Sequence, residues 1–301
     1  MWQRCKILNP ALGKYGWPSR TPEAEKISFK LQSDRHVVDR EVPSRDELER
    51  CDDILDKYVK HTLSDDLRNG NIEKLVREMM LYVKKDSSPG TPYSMSCKSN
   101  GELFAQYGDV LVSIVMDRMH KREQTSLESM KTKTKMQLVA EGYCDPVRVF
   151  VKSEPHKIAK LKEGRVRLIH SVSIVDKLIE MVLIRHLTKL EIANWLNIPS
   201  KPGIGFTPQD NKNLFDRIMG FGTNMCASDV EGWDWNVDQW QLEDDAEMVI
   251  KLCTNPTEWW KHQIRSCAIL EGRSVYQFSD GEMVVNDYLG MVNSGKYKTS
   301  N

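Results

Sequence analysis

The sequence predicts an α+β fold, and two observations predict it. Stretches with apolar residues three and four apart mark amphipathic helices, and other segments alternate in the two-residue period of a strand. Taken in order, Gly13, Gly16, Pro18 and Pro22 predict an extended N-terminal arm. Ser44 and Glu47 have capping-box spacing and open a helix with Leu48, Cys51, Leu55 and Tyr58 on its apolar face. Ile72, Leu75, Val76, Met79, Met80 and Val83 form a second stripe, and Leu103, Phe104, Tyr107, Leu111, Ile114 and Val115 a third; both predict core faces. Val147, Val149 and Val151 alternate with Arg148, Phe150 and Lys152, and Arg165 to Ile169 alternates again, which predicts a two-stranded ribbon. Ser173 opens what is expected to be the longest and most apolar helix, running through Leu190. Met225 to Val230 reads as a short strand broken by Gly232, with a helical pattern from near Val237 that Asn236 caps. Leu242, Ala246, Val249, Ile250 and Cys253 face inward from that helix, and its acidic run faces solvent. Val275 to Phe278 and Met283 to Val285 flank Asp280-Gly281, a hairpin signal. Neither an internal repeat nor a low-complexity tract is present.

The 301 residues are long enough for a large core or two subdomains. Lys and Arg number 43 and so do Asp and Glu, yet the balance is local cancellation. Val147 to His170 holds seven Lys/Arg against Glu154 and Glu163, whereas Asp229 to Glu247 holds eight acidic residues and no Lys or Arg. A basic channel facing an acidic site suits a protein that holds RNA in one place and a cation in another. Seven cysteines without a Cys-x2-Cys pair predict reduced thiols in a cytosol-like compartment and no zinc site. Apolar runs such as Met181 to Ile184 are too short to span a bilayer, and the N-terminus lacks a signal-peptide core.

The most informative residues are Asp229 and Asp234. Two carboxylates at a strand end, expected to face one cavity, suit metal-assisted nucleotide chemistry, because Mg²⁺ takes one or two carboxylates and shares its remaining positions with water and phosphate. The pair also reads as a solvated acidic turn capping a helix, so other segments decide. In the basic ribbon Arg165 and Arg167 fall on one face, and the connection carries Lys157, Lys160 and Lys162. Clustered cations are what a triphosphate and a template backbone require, and Arg grips phosphate in a bidentate way. Asp86 to Tyr93 has two prolines around a glycine, a rigid bend that can border a nucleic-acid channel. In Asn293 to Asn301, Gly295 gives close approach and Ser294 a hydroxyl. His156 and His170 read as solvent-facing or template-adjacent, and Trp233, Trp235, Trp259 and Trp260 as packing residues.

In this order the segments resemble the signature regions of positive-strand viral RNA-dependent RNA polymerases, in particular the sobemovirus, polerovirus and related sobemo-like group. Val149 to Lys157 followed by Leu161 to Ile169 is similar to motif F, Ser87 to Pro92 to motif G, Ser228 to Trp235 to motif A, and Ser294 to Thr299 to the opening of motif B. The resemblance implies a right-hand polymerase with fingers and partial palm, truncated within motif B. It divides the chain into an N-terminal arm and fingers with motifs G and F (1–172), the first part of the palm with motif A (173–254), a return to the fingers (255–290) and the start of motif B (291–301). The Gly-Asp-Asp of motif C does not occur and the thumb is absent, so the chain is expected to be a fragment inactive by itself. The motif B asparagine would fall beyond Asn301, which does not inherit its role.

The resemblance further implies two-metal nucleotidyl transfer with Mg²⁺, or Mn²⁺ in its place. Asp229 would be catalytic and a metal ligand, with the Val230 carbonyl as an extra ligand. Lys152, Arg165, Arg167, Asp234 and Ser294 would bind the nucleoside triphosphate, Asp234 reading the ribose 2′-hydroxyl. Ser88, Gly90, Gly295 and Thr299 would border the template. Implied partners are template and product RNA, nucleoside triphosphates and a viral priming protein, with no transmembrane segment, in replication complexes of the host cytoplasm. Two rivals differ: a reverse transcriptase would carry a bulky residue at Asp234, and a non-catalytic single-stranded RNA-binding fragment would use the basic ribbon without Asp229.

Overall fold

The computed structural model describes residues 13–36, 41–203, 205, 207–222 and 226–297. Helix α1, Pro22–Ser33, begins on Thr21, whose hydroxyl accepts from the Ala24 N–H at 3.4 Å, with proline and two glutamates in its first turn. The extended arm expected here is therefore overturned. The physical reason lies far along the chain: Phe29 packs 5.0 to 5.5 Å from the rings of Trp235, Tyr276 and Phe278. The Ser28 hydroxyl donates to the Val166 carbonyl at 2.7 Å, and Glu25 accepts from the Ser279 hydroxyl at 2.6 Å.

Helix α2, Arg45–Asp52, opens on the expected Ser44/Glu47 box but stops short of Leu55 and Tyr58, and Leu55 is buried from a separate 3₁₀ turn. Helix α3, Ile72–Tyr82, buries Ile72, Leu75, Val76 and Met79 as the stripe predicts. Helix α4, Asn100–Glu123, buries Leu103, Leu111 and Val115, but a kink at Tyr107 (φ −133°, ψ 21°) leaves that ring exposed rather than in the core. Strand β1, Val147–Val151, alternates buried valines with half-buried Arg148 and Phe150. It pairs antiparallel with β2, Leu168–Ser171, so the ribbon forms with its second strand three residues later than the alternation suggested.

Helix α5, Ile174–Ala193, is capped by Ser173 as expected, though at 20 residues it is shorter than the 24 of α4. Helix α6, Pro208–Met219, is capped by Thr207 and buries none of its residues. Helix α7, Gln239–Lys251, takes its cap from Asp238, which forms a box with Gln241, and not from Asn236. Helix α8, Glu258–Glu271, holds Trp260 fully buried, its indole N–H donating to the Leu183 carbonyl of α5 at 3.0 Å. The hairpin at Asp280-Gly281 joins β3, Tyr276–Gln277, to β4, Met283–Val284, with Gly281 at φ 92°.

Helices α3, α4, α5, α7 and α8 share the larger core, which includes Val76, Val115, Leu178, Val249 and Trp260. The sheet has the order β2-β1-β3-β4, and its buried side meets α1 through Phe29, Val149, Trp235 and Tyr276. Arg118 bridges the two parts. Its guanidinium grips Asp145 through two 2.8 Å bonds ahead of β1 and reaches Asp176 of α5 at 3.1 Å. The strand expected at Met225 to Val230 is not formed over its described part: residues 226–230 are an exposed loop. A strand exists only by pairing, and no described strand lies beside them.

Candidate active site

The junction between β2 and α5 is where separate parts of the sequence meet. Gly90 sits at φ 74° with its Cα against this junction, so that a Cβ there would lie 2.7 Å from the Val172 carbonyl oxygen. The Ile174 N–H donates to the Pro89 carbonyl at 2.8 Å and fixes the same approach. From the other side, a Cβ on Gly295 would lie 2.1 Å from the His170 carbonyl oxygen. The Ser294 hydroxyl accepts from the His170 N–H at 3.1 Å. The bend carrying Ser88 and Gly90 and the turn carrying Ser294 and Gly295, some two hundred residues apart in sequence, thus flank one stretch of backbone. They border a cleft of about 440 Å³ that Ser88, Phe150, His170, Lys177, Gly295 and Tyr297 help to line. Ser88 is exposed at its edge, and its hydroxyl accepts from the Gly90 N–H at 3.3 Å. Thr299 lies outside the described residues.

The basic residues lie toward the other end of the ribbon, where Val151 pairs with Leu168, and each is held by a carboxylate. Lys152 pairs with Glu154 at 2.9 Å and Arg167 with the same carboxylate at 2.7 Å. The hydrogen bond from Lys152 is the largest influence holding the Glu154 carboxyl below its ordinary range. Arg165 lies 3.4 Å from Glu163 and 3.5 Å from Glu231, and Arg35 of the N-terminal segment takes Glu231 at 2.8 Å. His156 is buried beneath the group, not solvent-facing. Its Nε2 accepts from the Arg167 N–H and its Nδ1 faces the Glu154 carbonyl, both at 2.8 Å, which fixes the tautomer with the proton on Nδ1.

Asp229 and Val230 stand exposed in the loop. The backbone turns at Gly232, φ 67°, into a 3₁₀ turn, Trp233–Trp235, that carries Asp234 half-buried. The two carboxylates therefore occupy different local structures instead of one strand end. Burial raises the Asp234 pKa, and the nearby Arg167 charge opposes that rise. The turn is stitched to the segment ahead of Ser294: the Val292 N–H donates to the Asp234 carbonyl at 2.9 Å and the Met291 N–H to the Val237 carbonyl at 2.7 Å. Trp235 packs at the sheet, 5.3 Å from the His170 ring, whereas Trp233 remains exposed. His170 is itself fully buried, and burial pushes its pKa down to about 4, so the imidazole is neutral.

Among the described residues no three or more His, Cys, Asp or Glu side chains gather into a cage for a metal. The Asp229 carboxylate and the Val230 carbonyl are exposed hard oxygen donors, a set that fits Mg²⁺ sharing its shell with water and phosphate.

Four residues escaped the sequence reading. Glu154 entered it only as a charge counted against the basic ribbon, Glu231 only as one of the acidic residues of Asp229 to Glu247, and Arg35 lay in the segment expected to be extended. Lys296 is the fourth: it is half-buried, ion-paired with Glu271 and 4.0 Å from Glu180, while the Tyr297 N–H donates to Glu180 at 3.0 Å. Its partners lie on α5 and α8, and no local pattern signals them.

Comparison with known proteins gives the class to which this fold belongs. The family described as viral RNA-directed RNA-polymerase matches residues 29–217, and the chain belongs to it. The replicase polyprotein P2AB of Southern cowpea mosaic virus is 35% identical over 97% of the chain, and protein P1-P2 of potato leafroll virus is 32% identical over 95%. The RNA-directed RNA polymerase of mushroom bacilliform virus is 32% identical over 75% of the chain and 54% of its own length. The chain spans 31% of the Southern cowpea mosaic virus polyprotein and 29% of the potato leafroll virus protein. Among solved structures, a Sicinivirus 3Dpol RNA-dependent RNA polymerase shares the fold with a TM-score of 0.62 at 14% identity, over 90% of this chain and 53% of that one.

Proposed function

We propose that the chain is the fingers and first palm portion of a viral RNA-directed RNA polymerase that transfers nucleotides from nucleoside triphosphates to a growing RNA strand, and that taken alone it does not catalyse. Residues 1–172 are assigned to the arm and fingers, 173–254 to the first part of the palm, 255–290 to a return to the fingers and 291–301 to the start of motif B. One observation carries the reading: the segment of Ser88 and Gly90 and that of Ser294 and Gly295 meet the same stretch of backbone, His170 to Ser173, and Ser88 and Gly295 line one cleft there.

In the reaction, the 3′-hydroxyl oxygen of the RNA bonds to the α-phosphorus of the triphosphate and the bond to pyrophosphate breaks. Asp229 and the Val230 carbonyl would hold Mg²⁺, which would supply neutralisation of the charge on the phosphates. Lys152, Arg165 and Arg167 grip the triphosphate and set its position, which is the larger part of catalysis in phosphoryl chemistry. Asp234 accepts a hydrogen bond from the ribose 2′-hydroxyl. Ser294 assists, since its oxygen already accepts from His170 and its proton is left to donate. Template and product RNA, a priming protein and a cytoplasmic replication complex are partners and setting assigned from the family alone.

The test has two arms. The chain should bind single-stranded RNA and ATP yet show no incorporation on a primed template, whereas the longer polymerase incorporates. Incorporation by the chain alone would refute the assigned inactivity, and loss of both binding activities would refute the assigned function. A non-catalytic RNA-binding role for the isolated chain is the second reading, favoured by the exposed position of Asp229 away from any described carboxylate cluster.

A further inference from the structure

Every cation assigned to the triphosphate is already engaged by an acidic side chain of the same protein. Glu154 lies between two of them, 2.9 Å from Lys152 and 2.7 Å from Arg167. Glu231 lies between Arg165 at 3.5 Å and Arg35 at 2.8 Å. Glu154 is positioned by its backbone: its N–H donates to the Lys152 carbonyl at 2.9 Å, its carbonyl faces His156 Nδ1 at 2.8 Å, and Pro155 follows. Glu231 is on the same chain segment as Asp234, so its carboxylate links Arg165 to the turn assigned to the ribose.

We propose that Glu154 and Glu231 are intramolecular stand-ins for the phosphates of the incoming nucleotide, occupying Lys152, Arg167 and Arg165 until a polyanion displaces them. The inference rests on the assignment of those three cations to the triphosphate. Pairs this exposed are weak, so a ligand with several phosphate oxygens outcompetes a single carboxylate, while a weakly charged anion does not. Two consequences follow. The long cationic side chains are held in place before the substrate arrives, which lessens the ordering cost at binding. The carboxylates also set a threshold of charge that favours a triphosphate over a monophosphate, making them specificity-determining groups of the same site.

The test is titration of the protein with inorganic tripolyphosphate and, separately, with orthophosphate, for wild type, Glu154→Gln, Glu231→Gln and the double variant Lys152→Ala/Arg167→Ala. Glutamine keeps the side chain's size and removes its charge. Each glutamine variant is expected to bind tripolyphosphate about three- to tenfold more tightly than wild type, with a larger relative gain for orthophosphate. A merely structural role for either glutamate would weaken binding or leave it unchanged. If the glutamine variants bind no more tightly than wild type while the double variant has lost binding, the stand-in role is overturned and the cation assignment stands. If the double variant binds as wild type does, the cation assignment fails and the stand-in role falls with it.

Discussion

Replacing Gly295 by alanine tests the junction directly. The added Cβ would lie 2.1 Å from the His170 carbonyl oxygen and 3.2 Å from the Val172 nitrogen, and both obstacles are backbone. Ordinary carbon–oxygen contact needs roughly 3.4 Å or more, so one side must retreat by more than about 1 Å. Neither side is free to do so. His170 is paired opposite Val149 within the sheet, and the Gly295 turn is held by the Tyr297 bond to Glu180 and the part-buried Lys296–Glu271 pair. Forcing a methyl group into such a site costs about 1–3 kcal/mol, and the Ser294 bond to the His170 N–H is the contact most exposed to the shift. Urea denaturation followed by tryptophan fluorescence reads the cost as a lowered midpoint at unchanged slope. Gly108→Ala is the control, because its Cβ would meet nothing nearer than Met80 Cε at 3.6 Å inside a helix, so it should stabilise by about 0.5–1 kcal/mol. An unfolding midpoint for Gly295→Ala equal to that of wild type would show that the close approach is not a constraint.

Three further outcomes are expected. Changing Arg165 and Arg167 together to alanine should weaken binding to unrelated single-stranded RNAs alike and flatten the salt slope by up to about two, and an unchanged affinity would reject the role of the ribbon. In the longer polymerase, Asp229→Asn should lower Mg²⁺-dependent incorporation by orders of magnitude for either sugar. Asp234→Ala should mainly reduce the ratio of kcat/KM for ATP over dATP, a contact difference of roughly 1–3 kcal/mol; an unchanged ratio sinks the 2′-hydroxyl assignment. Burial lowers the pKa of both His170 and His186 to about 4 from an unfolded value of 6.5. Between those values the unfolded chain binds more protons than the folded one, so stability is lost as pH falls through this window, by about 1.4 kcal/mol per pH unit for each histidine. His170→Phe should remove one of the two contributions, and an identical pH slope in wild type and variant would contradict the burial argument.

What the sequence revealed, and what it concealed, follows the range of the interactions. The Ser44 and Ser173 caps and the Asp280-Gly281 hairpin are decided within a few residues, and each is present. The β1 and β2 ribbon is similarly local, although its second strand begins at Leu168 and leaves Arg165 and Arg167 ahead of it, where both reach acidic partners. The loop at Asp229 differs, because alternation can mark a residue's face but cannot supply the neighbouring strand that a ladder requires. Helix α1 was masked by the prolines and glycines around it, though Thr21-Pro22 with Glu23 and Glu25 is itself a start signal. Its packing depends on Trp235, Tyr276 and Phe278, and no window of sequence contains both sides of that contact.

The same distinction separates what chemistry a residue can perform from where it performs it. Residue types and spacing marked Arg165, Arg167, Asp229 and Asp234 as candidates and the family resemblance added Lys152, yet the partners that govern them come from elsewhere. Arg35 reaches Glu231 from the N-terminal segment, and His156 supports Arg167 from below the ribbon. The junction at His170 to Ser173 is bonded to the Ser294 turn, crowded by Gly90 and Gly295, and packed against Trp235 beside Asp234. A displacement at any one of these points would be transmitted to the others through backbone contacts instead of being absorbed by side-chain rotation. The candidate site is therefore a property of that junction more than of any single motif.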